Sequence, residues 1–165
     1  MNPVPAYPVP GAEQFRRACA RYATGVTVTT VEGLQGTPQG LTVNSFTSVS
    51  LDPLLVLVCI DKSATAHPHF MAARGFAINV LSEDQIALSQ HFATYAGDRF
   101  EALPWHAGLH GAPILEGILA SLECSIWQRV DAGDHTLMLG QVERVELHAG
   151  APLVYFAGAY RKLGP

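Results

Sequence analysis

Long apolar runs are missing from this chain. The longest unbroken one, Leu54 to Ile60, is far too short to cross a bilayer as a helix. The N-terminus lacks a basic segment followed by an apolar core, so no signal peptide is expected. Charge is scarce: 15% of residues are charged, the formal net charge is −4 and the pI is near 5.9. That balance excludes the basic footprint of a nucleic-acid or anionic-membrane binder. Cysteine is scarce too. Cys19, Cys59 and Cys124 are odd in number, widely spaced and each set among apolar neighbours. They read as buried free thiols in a reducing, cytoplasmic compartment rather than as a disulfide framework.

Familiar catalytic motifs are also absent. No G-x-G-x-x-G follows a strand, and there is no Walker loop, G-x-S-x-G elbow or H-E-x-x-H. Any bound nucleotide is therefore held by neither a Rossmann turn nor a P-loop. His67-Pro68-His69 and the pair His106 and His110 have no Cys or carboxylate partners at zinc-like spacing, so no metal site is expected.

What remains is apolar for a chain of 165 residues: 48% hydrophobic, with mean hydropathy +0.19. One domain with a substantial core is expected, together with a second apolar surface hidden in a subunit interface. Pro3, Pro5, Pro8 and Pro10 make residues 1–12 an extended, polyproline-like arm across a neighbour or a disordered tail, preceding a domain over 13–165. Phe15, Ala18, Cys19 and Tyr22 share one face of a predicted helix over Glu13 to Tyr22, which Gly25 ends. Strands are predicted over Val26 to Val31, Leu54 to Ile60 as a fully buried run, Phe76 to Leu81, Leu119 to Val130, His135 to about Leu147, and Leu153 to Phe156. A short helix follows Thr65. Ser82 and Gln85 form a capping box for another helix that ends near Ala93. Strands dominate at hairpin spacing, so the class is mainly β: an antiparallel, Greek-key-like barrel with short peripheral helices.

The chain is organised around Gly40 to Pro53. Leu41 and Val43 alternate like a strand; then Asn44, Ser45, Thr47, Ser48 and Ser50 interrupt, and Phe46, Val49 and Leu51 fall out of phase. Short polar side chains of this kind bond nearby backbone. They support a turn or bulge, or they form a polar shelf for a flat ligand. Three other positions offer chemistry. His135 follows the tight Gly133-Asp134 turn, where it bonds back to Asp134 or donates to a ligand near neutral pH. Arg99 pairs with Asp98 or with a phosphate. Lys62-Ser63-Ala64-Thr65, at a strand end and a helix start, suits a phosphate or an ordinary cap.

Five blocks now stand in order: Ala23-Thr24-Gly25-Val26-Thr27-Val28-Thr29-Thr30, the Gly40–Pro53 shelf, Asp98-Arg99-Phe100, Gly133-Asp134-His135-Thr136 with Gly140, and Pro152-Leu153-Val154-Tyr155-Phe156 with Tyr160. Over about residues 13 to 163 the chain resembles the flavin reductase family, the short reductase components of two-component flavin-dependent monooxygenases. The resemblance implies an FMN-binding split barrel, commonly a homodimer. It implies reduction of FMN or FAD by NADH or NADPH and transfer of reduced flavin to a partner oxygenase. It would put Thr42, Asn44, Ser45, Thr47 and Ser48 on the isoalloxazine and ribityl groups. Cys59, Ile60 and Asp61 would line the ring through backbone, and Lys62, Ser63 and Thr65 would meet the phosphate. Phe92 and Arg99 would also touch flavin. His135 would face the nicotinamide, as the catalytic candidate, with Tyr160 closing that side. Pro53 is followed by Leu54, where the family has a second proline. The same shelf would also serve a flavin carrier or sensor without turnover, or a reductase that holds its flavin and passes electrons to another acceptor.

Overall fold

The computed structural model describes residues 9–163, so most of the predicted N-terminal arm lies outside it. Val9 to Gly11 are exposed, and Ala12 already opens a helix. In chain order the elements are α1 (Ala12–Cys19), β1 (Thr24–Gly25), β2 (Thr27–Glu32), β3 (Pro38–Val43), β4 (Thr47–Leu51), β5 (Leu54–Asp61), α2 (His67–Ala72), β6 (Gly75–Val80), α3 (Ile86–Thr94), β7 (Trp105–Ala107), β8 (Pro113–Leu115), β9 (Ala120–Ala132), β10 (His135–Leu147), β11 (Val154–Phe156) and β12 (Ala159–Arg161).

All strand pairs are antiparallel. Seven form one sheet in the order β3-β2-β6-β9-β10-β5-β4, with smaller sheets β1-β11-β12 and β7-β8 beside it. The edge strands β3 and β4 are joined only by residues 44–46. Seven strands laid flat would put their outer strands roughly 29 Å apart. That short link spans at most about 15 Å. The sheet must therefore curl until its two edges approach, which gives a barrel split along one seam. The polar shelf is that seam.

Two apolar cores follow from the curl. Val31, Val58, Ile60, Phe70, Phe76 and Met138 fill the barrel. Val28, Leu81, Phe92, Phe100 and Ile114 fill the layer between the sheet and the α3, β7 and β8 segments. Strands β2 and β6 lie between them and are buried on both faces. Inside the barrel Gly140 makes room for Phe76: a Cβ there would lie 2.5 Å from the ring.

Several expectations are corrected. Strand β5 is not buried throughout; its burial alternates, because only one face looks into the barrel. The second half of the shelf is an exposed edge strand, and its broken alternation comes from a β-bulge between Ser48 and Ser50. Helix α1 ends at Cys19, not near Gly25, and none of its residues is buried; Phe15 and Tyr22 face outward. Half of the capping box forms: Gln85 Oε1 accepts the Ser82 N–H at 3.1 Å, but α3 starts only at Ile86. Among the thiols only Cys124 is buried, while Cys19 is exposed and Cys59 half-buried. Strand β12 and the β7–β8 ladder were not predicted; three-residue strands carry too little pattern to register.

Candidate functional site

The β9–β10 turn is tight because Gly133 takes φ +61°. His135 then pairs in register with Ala132 on one side and Asp61 on the other, so the ends of β9, β10 and β5 meet. The seam lies opposite. Strand β4 pairs with β5 only as far as Leu57, leaving the backbone of Cys59 to Asp61 without a β partner on that edge. Ser45 Oγ takes over part of that role, accepting the Cys59 N–H at 2.9 Å. Between seam and hairpin is an open cleft of about 780 Å³. Asn44, Ser45, Thr47 and Cys59 line one wall, His135 and Leu137 another; Tyr155, Phe156 and α1 close the rim.

Fixed bonds orient the polar groups. A carboxylate only accepts, so the 2.7 Å contact is His135 Nδ1–H donating to Asp134 Oδ1, which leaves Nε2 as the free ring position. That bond holds the Asp134 carboxyl below its ordinary value. Asp61 is likewise held low, chiefly by the Ser63 hydroxyl and then by the Ser63 N–H, both at 2.7 Å from Oδ1. The shelf residues that line the cleft, Asn44 to Thr47, are uncharged. Asn44 is exposed in the cleft, and the buried Thr24 Oγ1 at the same cleft has no partner.

A side pocket of about 220 Å³ shares Asn44 and Tyr155 with the main cleft. Thr42, Ser89 and Tyr160 line it. Thr42 Oγ1 donates to the Ser89 carbonyl at 2.6 Å, and Ser89 Oγ and the Tyr160 hydroxyl share a bond at 2.9 Å. Tyr155 and Tyr160 pack edge to face.

The cleft and its side pocket thus unite Thr42, Asn44, Ser45, Thr47, Cys59, His135 and Tyr160. Other predicted residues lie elsewhere. Phe92 is fully buried against Phe100. The Ile60 side chain points into the barrel, while its backbone, the part expected to meet the ring, lies on the stretch of β5 beyond the β4 pairing. Arg99 pairs with neither Asp98 nor a free site; it donates to the Tyr95 and Gly40 carbonyls. Lys62 Nζ donates to Gly133 O at 2.6 Å and pairs with Asp131. Ser48, Ser63 and Thr65 are exposed and line neither cavity. Arg16, Thr24, Ser89 and Tyr155 were missed as site residues. Thr24 and Tyr155 sat inside quoted blocks, whereas nothing local marks a serine in the middle of a helix.

Residues 19–164 match the flavin reductase like domain. The chain belongs to the flavin reductase family. It is 47% identical over 155 residues to the FMN reductase (NADH) SmoA of Agrobacterium fabrum, covering 92% of this chain and 88% of that one. It is 44% identical to the reductase component of the flavin-dependent trigonelline monooxygenase of Acinetobacter baylyi, covering 89% of this chain but only 47% of that longer protein. The structure of the Streptomyces globisporus NADH:FAD oxidoreductase in complex with NAD and FAD fragments superposes with TM-score 0.87 at 41% identity, covering 93% of each chain.

In this member of the flavin reductase family the cleft suits a flavin. It is wide, walled by Phe46, Leu137 and Tyr155, and supplied with neutral hydrogen-bonding groups, among them the buried, unpartnered Thr24 Oγ1. Among the described residues no three of His, Cys, Asp and Glu converge as metal ligands, and no helix is long and apolar enough to cross a membrane.

Proposed function

We propose that this chain is an NAD(P)H:flavin oxidoreductase that reduces FMN or FAD and passes the reduced flavin to a partner monooxygenase. NADH is the favoured donor, because relatives over nearly the whole chain are named NADH-dependent FMN and FAD reductases. The partnership follows the relative named as a monooxygenase reductase component. One observation carries the reading: a neutral polar seam and an oriented histidine face each other across a single cleft.

Bound flavin supplies the two-electron acceptor chemistry. The chain's task is positioning, since hydride transfer needs donor and acceptor atoms in close, aligned stacking. Asn44, Ser45 and Thr47 hold the ring edge without charge, which favours release of the product. His135, steered by Asp134, presents Nε2 toward the nicotinamide side, and Tyr160 closes that side. Tyr155 and Phe156 exclude water.

A non-catalytic flavin carrier needs no oriented His135, and the Asp134 contact favours the enzyme. Apolar exposure of Leu51 and Leu54 at the β4–β5 turn, and of Trp127, Val145 and Leu147 on β9–β10, supports a homodimer. Three free thiols fit a cytoplasmic setting. A kinetic matrix of FMN and FAD against NADH and NADPH tests the activity. Absence of flavin-dependent nicotinamide oxidation in all four wells overturns it.

A further inference from the structure

Asp134 steers the His135 ring, but it stands on the same exposed turn. It sets the angle of the ring and cannot fix the turn against the cleft wall. That takes a group from outside the β9–β10 hairpin. Lys62 supplies one tie: its N–H donates to Asp134 O at 2.9 Å, and its ammonium reaches Gly133 O and Asp131. The pair with Asp131 is open to solvent, where such pairs contribute little.

A buried tie lies one residue further on. Thr136 follows His135 on β10, so its side chain points to the opposite face of the strand. It stands in register with Ile60, whose side chain is in the barrel core, and is itself only 6% exposed. There it meets α2. Nε2 of His67, the first residue of that helix, shares a hydrogen bond with the Thr136 hydroxyl at 3.0 Å. Helix α2 is a firm anchor. Phe70 is fully buried in the barrel core, and Ala66 and Ala73 at the two ends of the helix pack there with it. Arg129 Nη2, from β9, donates to the Phe70 and Ala73 carbonyls. The helix therefore grips both strands of the hairpin, β10 through His67 and β9 through Arg129. His135 and His67 also lie close enough to Asp61 to help hold its carboxyl low, after the larger effect of Ser63.

We infer that His67 is a positioning residue of the reductase: through Thr136 it fixes the strand end from which His135 meets the nicotinamide. This rests on the flavin reductase reading. His67→Leu removes the bond from one side, and Thr136→Val removes it from the other with a side chain of the same shape. His67→Gln keeps an amide within reach of the hydroxyl. His67→Leu and Thr136→Val each lower kcat/KM for NADH about fivefold, as for loss of one neutral hydrogen bond. Flavin affinity, read from fluorescence quenching, stays at the parent value, and His67→Gln recovers most of the rate. In a His135→Ala background His67→Leu costs nothing further, because it acts only through that imidazole. A merely structural loss would slow both backgrounds alike. The imidazole 15N resonances of His135, read without turnover, move in His67→Leu and return in His67→Gln. With an active parent, an unchanged kcat/KM in both single variants, equal slowing in both backgrounds, or unmoved His135 resonances each overturns the inference. A parent that oxidises no NADH with either flavin overturns the reading beneath it instead. Thr136→Val gives the answer if His67→Leu fails to fold.

Discussion

Ser89 Oγ lies 2.9 Å from the Tyr160 hydroxyl, while the carbonyl of the same serine accepts Thr42 Oγ1 at 2.6 Å. One fully buried residue of α3 thus ties the start of the shelf to the last strand. Its helix position leaves the hydroxyl free of any catalytic role, so Ser89 acts by fixing Tyr160. Ser89→Ala and Tyr160→Phe each lower stability by about 1 kcal/mol. Their double-mutant cycle returns a coupling of roughly 1 kcal/mol in urea unfolding. In kinetics, Ser89→Ala shifts KM for the nicotinamide more than kcat. Additive losses with unchanged KM would contradict the assignment.

His135→Ala is expected to lower kcat/KM for the nicotinamide by about tenfold, a loss of ~1.4 kcal/mol of transition-state binding. Flavin affinity survives, because the seam residues remain. Asp134→Asn, which keeps a neutral acceptor for Nδ1, gives a smaller loss. Stopped-flow reduction beside flavin titration separates the two effects; parent-like reduction in His135→Ala would remove the role.

The thiols separate by environment. Burial, with Glu143 and Glu123 nearby, pushes the Cys124 thiol from 9.0 up to about 12. It stays unreactive toward a thiolate-seeking reagent in the native state at pH 8 and reacts only after unfolding. Exposed Cys19 reacts at once. Cys59, on the cleft wall, is labelled more slowly when FMN is present. Counting labels with and without urea and FMN checks all three. Because its folded value is raised, the Cys124 contribution to stability is intact below pH 9.0 and declines as pH climbs toward 12.

Asp61 and Asp134 behave oppositely. Both are depressed from 3.8, so their stabilising bonds are present above that pH and are lost as pH falls through the lower, folded values. Asp61→Asn should flatten the loss of urea stability as pH falls below 3.8. An identical slope in the variant would show that the Ser63 bonds carry none of it.

Gly140→Ala would press a methyl into the Phe76 ring and the Cys124 Cβ. Overpacking of that kind costs about 1–3 kcal/mol, measured as a lower urea midpoint at constant slope.

By itself the sequence determined the strand periodicity, the His135 hairpin and the place where alternation fails. These are local: a side-chain period of two, a glycine at positive φ, and short polar groups that compete for backbone. The seam was visible as a break before its cause was. Tertiary structure decided what each break faces. The sequence offers Lys62 a phosphate or a cap and Arg99 a phosphate or Asp98, yet the fold brings Asp131 to the one and the Gly40 and Tyr95 carbonyls to the other. Ser89 looks like a helix filler until Tyr160, far along the chain, arrives at its hydroxyl. Glu123 sits on the polar side of a strand, and the fold buries it against Arg144. Such partners come from curling a sheet until its ends meet, and chain closure of that kind leaves no periodic trace in the residues it joins.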